Sequence, residues 1–111
     1  MKSLACLFIA LGVMTGAFGA HGLKDMVTPE RLEVFKTAST YQITMSLALL
    51  LLSMQEKVRP WVLKLLLLGI LIFSGTLYVL VLANLSIMGA FTPIGGTLII
   101  ASLLIASWQL K

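Results

Sequence analysis

The sequence predicts an all-α integral membrane protein: one domain, residues 1–111, of four antiparallel transmembrane helices packed as a bundle. Three observations lead there. The 111 residues are 59% apolar and 11% charged, with a mean hydropathy of +1.07, whereas a soluble domain is about one quarter charged. Apart from Lys64 near the start of the third, the charges fall outside four long apolar stretches, at about residues 4–23, 37–55, 61–83 and 93–110. Each approaches the roughly twenty residues that carry a helix across about 30 Å of hydrocarbon, and no length remains for a water-soluble domain.

Span one is uncharged from Ser3 to Leu23 unless His21 titrates. A secretory signal is the rival reading, because Lys2, the apolar run and the small residues Ala17 and Ala20 imitate one; the three further apolar stretches favour a span. Gly12, Gly16 and Ala20 fall at i, i+4 and i+8 with Gly19 beside them, a small-residue side suited to close helix packing, within one chain or between copies. Ala10, Met14, Ala17 and His21 lie opposite.

Lys24 to Lys36 holds six charges, three of each sign, and is the one strongly polar segment. Within it Thr28-Pro29-Glu30 is a helix start: a capping oxygen, a proline tolerated at the first position and an acid at the positive dipole end. Helix two therefore begins outside the apolar section 37–55, and its arc of Phe35, Ala38, Tyr41, Gln42, Met45 and Leu49 is expected to face the bundle. Gln55 to Pro60 is a short basic turn, with Trp61 and Lys64 at the adjoining interface. Helix three follows, with Ser74, Gly75 and Tyr78 on one face and Gly75 expected to serve close helix packing. Asn84 to Phe91 reads as a loop, and Thr92-Pro93 repeats the cap-plus-proline start. Gly95 and Gly96 then offer small residues for packing in the first turn of helix four, and Trp108 and Lys111 mark its far interface.

Counting cations gives the orientation. Lys2, Lys57, Arg59, Lys64 and Lys111 lie on one side and Lys24, Arg31 and Lys36 on the other. Both termini are therefore expected in the cytoplasm.

That topology brings His21, Tyr41, Gln42, Ser74, Tyr78 and Thr92 into the outer half, where they are expected to form one polar cluster. Such a cluster serves either as glue between helices, worth under about 2 kcal/mol per pair, or as a contact for a ligand or proton, centred on His21; in a third reading His21 is a simple interfacial histidine facing water. Several chemistries are excluded. The eight Lys and Arg are scattered singly, which does not fit nucleic acid. The spans contain no carboxylate for a proton relay. One cysteine, Cys6, and one histidine cannot close a metal site. No spacing suggests a Ser-His-acid set. No catalytic residue, metal or cofactor is assigned.

Gly16-Ala17-Phe18-Gly19-Ala20-His21-Gly22-Leu23, Thr37-Ala38 with Tyr41-Gln42, Phe73-Ser74-Gly75-Thr76-Leu77-Tyr78 and Thr92-Pro93-Ile94-Gly95-Gly96 follow one another along almost the whole chain. In order and spacing they resemble the small bacterial inner-membrane family of unknown function typified by YgdD and YwdK, to which the eukaryotic transmembrane protein 256 is similar. The resemblance implies four membrane helices in the bacterial cytoplasmic membrane and no established activity. Where members of that family carry a second histidine after the Tyr-Gln pair, this chain has Met45; where they carry Gly-Trp in the last helix, it has Ser102-Leu103.

The functional expectation is a non-enzymatic membrane component, an assembly subunit or a binder of a lipid or other hydrophobic ligand. Its expected partners are membrane lipids and further copies in a homo-oligomer. The alternative is a small oligomeric transporter or channel for protons or small solutes, which would need a polar path through the apolar inner half.

Overall fold

The computed structural model describes residues 1–111 apart from the side chain of Ala20. Its elements are α1 (Lys2–His21), α2 (Pro29–Ser53), α3 (Pro60–Leu82) and α4 (Thr92–Gln109), with one 3-10 turn, Ser86–Ala90, where the sequence indicated only a loop. There is no strand among the described residues. Three segments are long and apolar enough to cross a membrane: α1, α3, and the stretch from Ser86 through α4.

The helix ends follow from local chemistry. Thr28 accepts a hydrogen bond from the Arg31 amide at 3.2 Å, and Pro29 occupies the first position of α2. Arg59 precedes Pro60 at the start of α3, and its amide donates to Gln109 Oε1 at 3.1 Å, tying the α2–α3 turn to the end of α4. α3 ends before Asn84, whose φ of 56° is left-handed, a conformation asparagine tolerates. The Arg31 guanidinium donates to Leu80 O at 3.0 Å, so a cation caps the negative end of α3. The start of α4 corrects the sequence reading: Thr92 lies inside the helix with Phe91 at the cap position. Its hydroxyl pairs with Thr76 Oγ1 at 2.8 Å and does not cap.

The helices pack in chain order, α1 on α2, α2 on α3 and α3 on α4. Gly12 sits opposite Ile43, Gly16 opposite Ser39 and Gly19 opposite Phe35, so as α1 advances its neighbour on α2 recedes. Among the described residues no comparable packing closes α4 onto α1, and the Cα extents are 47 × 26 × 16 Å. Within the all-α fold expected from the sequence, the helices thus form a serial array. α3 is shared by α2 and α4, while α1 and α4 each lean on a single principal neighbour.

The glycines divide sharply. At Gly95 an added Cβ would lie 2.8 Å from Phe73 Cα and 2.9 Å from Gly69 O; at Gly69 it would lie 2.9 Å from Ile99 N and 3.0 Å from Gly95 O. Here α3 and α4 meet backbone to backbone. Gly96 has only ordinary contact with the Phe73 ring, 3.6 Å away, and Gly75 has nothing within 4 Å. The expectation of close packing at Gly75 and Gly96 is corrected accordingly.

Two apolar clusters fill the interior. One contains Ala5, Leu49, Val62, Leu66, Ile70 and Ala106; the other contains Leu23, Phe35 and Val81. The buried stripe of α2 is Phe35, Ala38, Ser39, Gln42, Ser46 and Leu49. Tyr41, expected to face inward, is 45% exposed and rests on the Phe73 ring at 5.0 Å between centroids. Seating α1 against the Ser39 and Ile43 side turns the buried arc away from Tyr41.

Candidate functional site

A polar layer joins α1, α2 and α3. Gln42 on α2 is its hub: Nε2 donates to Phe8 O at 2.8 Å, and Oε1 accepts from the Tyr78 hydroxyl of α3 at 2.6 Å. Tyr78 Oη also lies 2.9 Å from Thr15 Oγ1 of α1, which is 3.0 Å from Gly12 O. Two hydroxyl hydrogens serve these three hydroxyl contacts. Since the Tyr78 hydrogen goes to Gln42, the single Thr15 hydrogen is shared between Tyr78 Oη and Gly12 O. Gly12 O tolerates this because Ser39 Oγ donates to it at 2.7 Å. Ser74 Oγ donates to Ala38 O at 2.9 Å and so links α3 to α2 beside the same layer.

Every polar group of this layer therefore has a partner inside the protein, as a dry environment demands, where an unpaired one costs about 1–3 kcal/mol. Ser46 Oγ differs. It is fully buried one helical turn beyond Gln42 and is the one buried side-chain polar atom left without a partner among the described residues.

Of the residues singled out in the sequence, the structure brings together Gln42, Tyr78 and Ser74. His21 is exposed at the last position of α1, with no side-chain hydrogen bond among the described residues. Tyr41 faces outward, and Thr92 belongs to a separate pair with Thr76 between α3 and α4. Ala20 lies outside the described side chains. No group of three or more potential metal ligands occurs among the described residues. Thr15 and Ser39 were missed. Thr15 carried a signal, being the only hydroxyl in the central part of span one.

Beside the layer, between α1 and α3, lies a groove of about 180 Å³ walled by Phe8, Leu11, Ile70, Leu71 and Gly75, with Gln42, Ser74 and Tyr78 at its floor. The open side of Gly75 is what keeps this wall low. A pair of saturated hydroxyls and an amide under an apolar groove does not constitute acid–base machinery.

Residues 15–96 match the family described as "Protein of unknown function (DUF423)". The chain belongs to the DUF423 family. A UPF0382 membrane protein of Staphylococcus aureus (strain bovine RF122 / ET3-1) is 42% identical over 105 residues, covering 85% of this chain and 86% of the relative. One from Staphylococcus saprophyticus is 44% identical over 101 residues, covering 87% and 84%; one from Staphylococcus epidermidis (strain ATCC 12228 / FDA PCI 1200) is 41% identical over 106 residues, covering 92% and 87%. No solved structure matches the chain. The motif resemblance and these relatives agree on a membrane protein whose family has no assigned function. The DUF423 match includes Thr15, Gln42, Ser74, Gly75 and Tyr78, and thus most of the polar layer and the open glycine of the groove.

Proposed function

We propose that this DUF423 protein is a four-span, non-enzymatic membrane component that binds a lipid or similar hydrophobic ligand in the groove between α1 and α3. Both termini lie on the cytoplasmic side of a bacterial inner membrane in this reading, following the bias of five cations to three. α2 crosses with the others: residues 37–55 carry no charge, and its buried polar groups other than Ser46 are bonded to α1 and α3.

The observation that carries the ligand reading is Gly75. It sits in the middle of an apolar wall with nothing within 4 Å of where its side chain would be. A groove of about 180 Å³ is smaller than the roughly 300–1,000 Å³ of a pocket that engulfs a ligand. It suits one stretch of a chain or one ring whose remainder stays in the bilayer.

Gly75→Leu tests this directly, since the first carbon of the new side chain has nothing within 4 Å and the rest extends into the groove against its apolar walls. Lipid retained through purification is expected to fall to background in this variant while thermal stability is kept. Equal retention by Gly75→Leu and the wild type would refute the groove as the binding site.

A further inference from the structure

A second concavity lies on the same stripe of α3 as the groove. Leu71, Gly75, Tyr78 and Leu82 recur at intervals of four, three and four residues and so project from one side of the helix. Leu71, Gly75 and Tyr78 border the groove. Leu82 borders a cleft of about 540 Å³ at the end of the molecule, together with Leu23, Asp25, Arg31 and Asn84. From Leu71 to Leu82 the helix rises about 16 Å at 1.5 Å per residue, half of a hydrocarbon core of roughly 30 Å. Groove and cleft together thus span about the depth of one leaflet. Between them Thr15 and Tyr78 cross the valley, and their hydroxyls are occupied by each other and by Gln42.

The cleft has the chemistry of a headgroup site. Arg31 donates one hydrogen bond, to Leu80 O, and has no carboxylate within 4 Å among the described residues. A guanidinium has five N–H donors in a planar fork that matches a phosphate. Asp25, on the same cleft, likewise forms no ion pair. One unpaired base and one unpaired acid, not bridged to each other, complement a ligand that carries both charges. The surrounding charge agrees: at this end Lys24, Arg31 and Lys36 balance Asp25, Glu30 and Glu33, whereas Lys2, Lys57, Arg59, Lys64 and Lys111 face only Glu56 at the other end. The entire net charge of +4 sits away from the cleft, so a purely anionic headgroup gains nothing from its surroundings.

We propose that the cleft binds the zwitterionic headgroup of a phospholipid, phosphate on Arg31 and ammonium on Asp25, while one acyl chain of the same molecule runs down the stripe into the groove. This rests on the groove holding a lipid chain and names the rest of that lipid.

The test uses the full chain in nanodiscs of equal phosphatidylethanolamine and phosphatidylglycerol, with retained lipid read by native mass spectrometry. Wild type is expected to keep one phosphatidylethanolamine in preference to phosphatidylglycerol. Arg31→Gln, which can still donate to Leu80 O, is expected to lower that retention at least about tenfold, the loss that goes with a hydrogen bond to a charged group. Arg31→Lys, a point charge without the fork, is expected to fall between them, and Asp25→Asn to abolish the preference between the two lipids. An unchanged melting temperature in Arg31→Gln shows that the cap on α3 has not been the cause. If Arg31→Gln keeps wild-type retention and preference while Gly75→Leu releases the lipid, the headgroup assignment is wrong and the groove stands. Retention untouched by either change overturns both. Displacement of the lipid by inorganic phosphate alone would mean that the cleft takes a free anion, and would also overturn the proposal.

Discussion

The two sides of α3 are built from the same residue with opposite results. Toward α4, Gly69 and Gly95 let the backbones touch, and no side chain of any size fits between them. Toward α1, Gly75 faces open space, and beside it the helices are bridged by Thr15 and Tyr78 reaching across. A glycine in a membrane helix therefore closes a seam when its partner also presents bare backbone, and opens a groove when its partner stands back. Helix packing in lipid gains from close contact but lacks the hydrophobic drive of water. The α3–α4 seam is accordingly the part expected to govern stability, and the α1–α3 valley the part free to hold something else.

Substitutions should separate the two sides. The largest effect is expected from Gly95→Ala, whose methyl would press on the backbone of Phe73, an atom that cannot rotate away. Overpacking of this kind costs about 1–3 kcal/mol, and thermal unfolding in detergent should show a clear drop. Gly12→Ala meets side chains and no backbone, Ile43 Cγ1 at 2.6 Å and Gln42 Cγ at 3.5 Å, so a smaller loss by the same measurement is expected. Gln42→Leu removes the hub of the polar layer and leaves the Tyr78 hydroxyl and Phe8 O to find other partners. Interhelical hydrogen bonds in membrane proteins average about 0.6 kcal/mol and reach about 2 kcal/mol, which sets the expected destabilisation. Ser46→Ala should be neutral or stabilising, because it deletes a buried hydroxyl with no partner. Gly75→Ala should change stability least, within about 0.5 kcal/mol, apart from a gain in helix propensity of up to about 1 kcal/mol. A loss at Gly75 equal to that at Gly95 would erase the contrast.

Much of this was legible in the sequence at the level of elements. Apolar length, Thr28-Pro29 and the basic turn before Trp61 mark helix ends within about two residues of those observed, because those signals are local. Which residues meet was less legible. Gln42 and Tyr78 belong to the expected cluster and are found together, whereas His21 rests there on shared depth alone and Tyr41 on depth and on the arc it shares with Gln42. His21 lies at the exposed end of α1, and Tyr41 lies next to Gln42 in sequence, 100° around the helix and so on another face. Thr15 was overlooked because its partner, Tyr78, is 63 residues away. The difference between Gly95 and Gly75 is likewise not local. It depends on how close the neighbouring helix comes, a property of the packed array that a run of small residues does not disclose.

The contrast can be read directly in lipid. With a spin label partway down the acyl chain and the α-proton or amide signals of the glycines followed by nuclear magnetic resonance, Gly75 is expected to broaden strongly, as a residue reached by chains, while Gly69 and Gly95 stay sharp. Gly75 remaining as protected as Gly95 would show that α1 closes on α3 in the membrane, and the groove would not exist.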